Sequence, residues 1–118
     1  MSKVLIYHNP RWSKSRESVK ILDSSDYDYE IVDYIHTPPT ANELQSLADK
    51  MDIRAKDFIR SKEAIFKELD LGSHLEDDST LFKYMAQHPK LIERPIIVKG
   101  NRAVLGRPPK KVEEFLNS

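Results

Sequence analysis

The stretch YHNPRWSKSR, residues 7–16, decides how this chain is read. Its first residue closes the apolar run Val4-Leu5-Ile6-Tyr7, and residues 3–7 read as a buried strand. Asn9-Pro10 then marks a tight turn, and the spacing predicts a helix from Ser13 to Asp23. A helix start presents unpaired N–H groups and the positive end of the dipole, which suits an anion or an ionised nucleophile. The middle of this turn, however, holds Trp12, whose indole offers one N–H donor and no nucleophile.

Working outward, Val19 and Leu22 share a helix face with the small Ser15 and Ser18, so this helix can pack closely on a sheet. Tyr29 to Tyr34 reads as a second strand centred on Ile31 and Val32. The prolines of HTPPT stiffen the next connection, and Thr40 with Glu43 three residues on forms a capping-box pattern. The helix it opens carries Leu44, Leu47, Ala48 and Met51 as its apolar stripe. Residues 53–88 read as short helices: one piece around Ile53 and Phe58-Ile59, one from Ala64 to Leu69, and one bearing Leu81, Phe82 and Met85. Asp77 or Asp78 can cap the third and Pro89 stops it, while the polar DLGSHLEDD before it reads as a loop. Ile96-Ile97-Val98 and Ala103-Val104-Leu105 flank Gly100-Asn101, a β-hairpin signal. Pro108 or Pro109 can start a last helix with Val112, Phe115 and Leu116 on one face. The order β-α-β, helical insert, β-β-α predicts an α/β chain with a central mixed four-stranded sheet, as in the thioredoxin fold.

Composition narrows the function. With 118 residues the chain is read as a single domain, residues 1–118, around one core. Nineteen basic residues balance nineteen acidic ones, so no overall field draws it to nucleic acid or to an anionic membrane. There is no cysteine, which excludes disulfides, thiolate metal sites and any reaction that needs a thiol of this chain. His8, His36, His74 and His88 lack the short spacings of zinc sites, so no metal is expected. The N-terminal apolar run is too short for a signal or membrane segment, and a cytoplasmic protein is expected.

Four motifs in order, IYHNPRWSKSR, IRSKE at 59–63, HPKLIERPIIV at 88–98 and GRPP at 106–109, resemble the glutaredoxin-coupled arsenate reductase family over nearly the whole chain. The resemblance implies a thioredoxin fold and glutathione- and glutaredoxin-dependent reduction of arsenate to arsenite. It also implies that Arg60, Arg94 and Arg107 surround the oxyanion, that Pro95 is a cis-proline, and that His8 and Ser15 support the site. In the family the position of Trp12 carries a cysteine. Its thiolate attacks arsenate, glutathione displaces oxygen from the adduct, and glutaredoxin helps complete the two-electron reduction. An indole cannot take that part, and Ser13 or Ser15 cannot pass on a sulfur bond. The resemblance therefore implies a family member inactive as written, with no bound cofactor and no thiol to engage glutathione as co-substrate. Arsenate, phosphate or sulfate is the expected ligand, and glutaredoxin or another protein the expected partner.

Two alternatives stand beside this. Each arginine has an acid nearby, Glu63 for Arg60 and Glu93 for Arg94, so simple ion pairing accounts for them as well. A related branch of the superfamily acts on transcription through RNA polymerase. Trp12 among Arg11, Lys14 and Arg16 would suit such a regulatory, partner-binding module.

Overall fold

Strand β1 (Val4–Tyr7) is the first element of a computed structural model that describes residues 3–8, 13–25, 27–106 and 110–117, the side chains of 13–15 excepted. Helix α1 (Ser13–Asp23) follows, then β2 (Tyr29–Val32), α2 (Ala41–Met51), α3 (Ala64–Glu68), α4 (Asp78–Gln87), β3 (Ile96–Lys99), β4 (Arg102–Leu105) and α5 (Lys110–Leu116). The described chain divides into two compact units, residues 1–34 with 94–118, and residues 35–93.

The first unit is built on a mixed four-stranded sheet of order β2-β1-β3-β4. β1 runs parallel to β2 and antiparallel to β3, and β3 and β4 form the hairpin. Gly100 sits in the hairpin turn at φ 61°, the left-handed region that lacks a Cβ penalty only in glycine. Alternation along the strands sends Val4, Ile6 and Ile97 to one face, where they pack with Leu22 of α1 and with Val112 and Leu116 of α5. Ser18 is fully buried, as its small size on the α1 contact face predicts. Lys99 closes the far end of this core: its ammonium donates to the Tyr27 hydroxyl at 2.8 Å and lies 4.7 Å from that ring's centroid. The Tyr27 hydroxyl in turn donates to the Leu116 carbonyl at 3.1 Å, tying down the end of α5.

The second strand is shorter than its sequence suggests. It ends at Val32 because its partner β1 ends at Tyr7, and Tyr34 lies in a turn with its ring buried instead.

In the second unit, α2 buries Leu44, Leu47 and Ala48, and it packs on α4, which buries Leu81, Phe82 and Met85. The capping box is formed: the Glu43 amide donates to Thr40 Oγ1 at 3.1 Å and the Thr40 amide to Glu43 Oε1 at 3.3 Å. Asp77 caps α4 by accepting from the Thr80 amide at 3.2 Å. The connection around Phe58 is a 3-10 turn, Ala55–Asp57, and Leu71–His74 forms another within the segment expected to be a loop. Ile59 pairs with Ile92 in an isolated antiparallel bridge. Among the described residues, no helix is long and apolar enough to cross a membrane.

Thr40→Ala removes one half of the capping box and leaves an amide of the first turn unpaired. It is expected to destabilise the protein by about 1 kcal/mol in urea unfolding, with Thr40→Ser close to the parent. Equal stability of parent and alanine variant would mean that water serves that amide as well as the threonine does.

Candidate oxyanion site

The sheet register brings the motif segments of the first unit to one end of the sheet. Tyr7 pairs with Val32 on one side and with Ile96 on the other, and Ile96 pairs with Leu105. One residue beyond that row stand His8, Pro95 and Gly106. The His8 amide donates to the Val32 carbonyl at 3.2 Å, and the Gly106 amide to the Pro95 carbonyl at 2.9 Å. The Arg94-Pro95 peptide is cis, as the resemblance implies. Arg94 is only 5% exposed, a degree of burial that guanidinium groups rarely reach unless paired. Arg107 follows Gly106 in the sequence but lies outside the described residues, as does Trp12. Ser15 is in α1, and its side chain is likewise outside them.

His8 is also 5% exposed, and among the described residues its Nδ1 is buried without a hydrogen-bond partner. Burial holds its imidazole below the ordinary value of 6.5, the carboxylate of Asp33 works against that, and the charge of Arg16 adds to it. A neutral imidazole with an unused nitrogen can orient a neighbour by a hydrogen bond without adding a positive charge.

Arg60 belongs to the second unit, and the bridge at Ile59 decides its company. The Arg60 amide donates to the Leu91 carbonyl at 2.7 Å and the Glu93 amide to the Phe58 carbonyl at 2.8 Å. This places Glu93 beside the guanidinium, with Nη1 to Oε1 at 3.7 Å, while Glu63 Oε1 lies 3.5 Å from Nε. Ion pairing of Arg60 with Glu63 was legible from their spacing. The nearness of Glu93 was not, since it adjoins Arg94 in sequence and the bridge turns it to Arg60.

Elsewhere in the first unit a cavity of about 770 Å³ opens between the C-terminal ends of α1 and α5, lined by Lys20, Ile21, Tyr27, Glu113 and Leu116 among others. It includes none of the motif residues. Among the described residues, no group of three His, Asp or Glu side chains is placed to hold a metal ion.

Comparison with known proteins agrees with this architecture. The model of the ArsC family matches residues 7–115. The arsenate reductase of Haemophilus influenzae is 40% identical over 114 residues, covering 96% of this chain and 98% of that one. The arsenate reductase of Neisseria meningitidis serogroup B is 37% identical over 117 residues, covering 98% of this chain and all of its own. Among solved structures, the arsenate reductase from Vibrio cholerae superposes with a TM-score of 0.91 at 42% identity, covering 96% of this chain and 97% of its own. The chain belongs to the ArsC family, and its fold is the thioredoxin-like α/β fold of that family.

Because burial depresses the folded-state value of His8, the folded protein binds its proton less readily than the unfolded chain. The stability this contributes is whole above about pH 6.5 and is lost as pH falls through the lower folded value. His8→Asn is expected to flatten the fall in melting temperature between about pH 7 and pH 5. A fall of the same slope in both proteins would show that His8 is not held neutral by burial.

Proposed function

We propose that this chain is an oxyanion-binding member of the arsenate reductase family that no longer carries out thiol-dependent reduction. The observation that carries the reading is the absence of cysteine from a sequence that keeps the motifs around the family's nucleophile position. Arsenate, phosphate or sulfate is the ligand, with affinity depending on Arg60, Arg94 and Arg107, and with His8, Ser15 and Pro95 in supporting roles. Arginine suits this work because its planar fork donates two parallel hydrogen bonds to a tetrahedral anion and stays charged at any working pH. Glutathione and glutaredoxin are the family's reaction partners, and the cytoplasm, where glutathione is held reduced, is the compartment that fits.

Thiol chemistry is the step this chain lacks. Reduction requires a sulfur that bonds arsenic and then yields to glutathione, and Trp12 supplies none. Arsenate reduction in the presence of glutathione and glutaredoxin should be undetectable for this chain and appear in Trp12→Cys. Turnover by the parent would overturn the reading, since it would occur without a protein thiol. Silence in both proteins, with no phosphate binding by calorimetry, would remove the oxyanion site as well.

A second reading draws on the cations Arg11, Lys14 and Arg16 around Trp12, of which Arg16 is exposed. In it the segment is the contact surface of a non-catalytic regulatory module, because tryptophan and arginine commonly dominate such contacts. Loss of a specific partner on Trp12→Ala, with anion binding unchanged, would favour it over the first.

The two carboxylates near Arg60 compete with any incoming anion. Glu93→Gln keeps the shape of the side chain and removes one of them. Phosphate affinity is expected to rise about two- to threefold at low salt, and the gain to shrink as ionic strength increases. Unchanged affinity at low salt would take Arg60 out of the binding site.

A further inference from the structure

The cavity of about 770 Å³ between the C-terminal ends of α1 and α5 has a size usual for small-molecule sites, and the motifs do not account for it. The charged side chains that line it are of opposite sign and come one from each helix, Lys20 from α1 and Glu113 from α5. Both are exposed, and neither is in an ion pair among the described residues, so they do not neutralise each other across the cavity. Ile21 of α1 and Leu116 of α5 give the same cavity apolar surface.

The hydroxyl groups of the lining have already spent their protons. Ser24 Oγ donates to the Lys20 carbonyl at 3.1 Å, and Ser25 Oγ donates to the Leu22 carbonyl at 2.7 Å while accepting from the Tyr27 amide at 3.2 Å. The Tyr27 hydroxyl donates to the Leu116 carbonyl and accepts from Lys99, whose ammonium also reaches that carbonyl at 3.4 Å. What the two serines offer a ligand is therefore lone pairs, at the end of α1 where the helix dipole is negative. From this we infer that the cavity binds a small amino-acid zwitterion with an apolar side chain. Its ammonium lies between the Glu113 carboxylate and the serine oxygens, and its carboxylate pairs with Lys20. Its side chain covers Ile21 and Leu116, removing apolar surface from water. A simple amine or a simple acid meets only one of the two charges, so the site prefers the molecule that carries both. This inference does not depend on the oxyanion reading, since the cavity includes none of the motif residues.

Titration of the isotope-labelled protein with phenylalanine, followed by NMR, tests this. Phenethylamine and 3-phenylpropionate serve as the analogues that lack one charge each. Phenylalanine should shift the amide resonances of Ser24, Ser25 and Asn117 saturably, and each analogue should bind about three- to fivefold more weakly. Lys20→Gln and Glu113→Gln change exposed side chains and should leave the fold intact. Each should weaken phenylalanine by a similar factor. Lys20→Gln should leave phenethylamine no weaker, and Glu113→Gln should leave 3-phenylpropionate no weaker, because each substitution removes only the charge that the other analogue uses. Three outcomes overturn the inference: no saturable shift at these residues up to about 50 mM phenylalanine, an analogue that binds as well as the zwitterion, or variants that bind phenylalanine like the parent.

Discussion

The row of residues Val32, Tyr7, Ile96 and Leu105 across the sheet is the constraint on which the placement of the motif residues in the first unit depends. β3 enters the sheet between β1 and β4, although more than sixty residues separate it from β2. Ile96, Ile97 and Val98 are all buried, so a slip of one residue would exchange the faces on which they and their partners pack. With that register fixed, the residues just outside it are fixed too. His8, the cis Arg94-Pro95 pair and Gly106 stand together because strands of known direction begin or end there.

Electrostatics divides the chain in a way its neutral total conceals. Residues 1–34 and 94–118 hold eleven basic against eight acidic side chains, and residues 35–93 hold eight against eleven. Arg94 and Arg107 fall in the first group, with its surplus of positive charge. Arg60 falls in the second, with Glu63 and Glu93 within 4 Å of it. The three arginines of the family motif are therefore unequal. Arg94 is buried, whereas Arg60 lies beside two carboxylates.

Much of the fold was legible because its signals are local. Helix α1 runs from Ser13 to Asp23 as its spacing predicts, the box of Thr40 and Glu43 forms, and Gly100 turns the hairpin between the two apolar runs. Each depends on residues within a few positions of one another. The end of β2 was not legible, because it is set by the length of β1 rather than by its own residues. Glu93 at Arg60 was hidden for the same reason, since a bridge between Ile59 and Ile92 places it there.

The sequence by itself determined the family, the order of the elements and the chemistry that is missing. Those follow from residue identity: four motifs, a hydrophobic pattern and the lack of any cysteine. Only the tertiary structure decided which motif residues stand together and what surrounds them. It alone put Ser18, Pro95 and Val112 around Gly106, buried Arg94, and left His8 with a buried nitrogen that has no partner among the described residues. Packing distance and desolvation belong to pairs of groups far apart in the chain. No single stretch of sequence carries them.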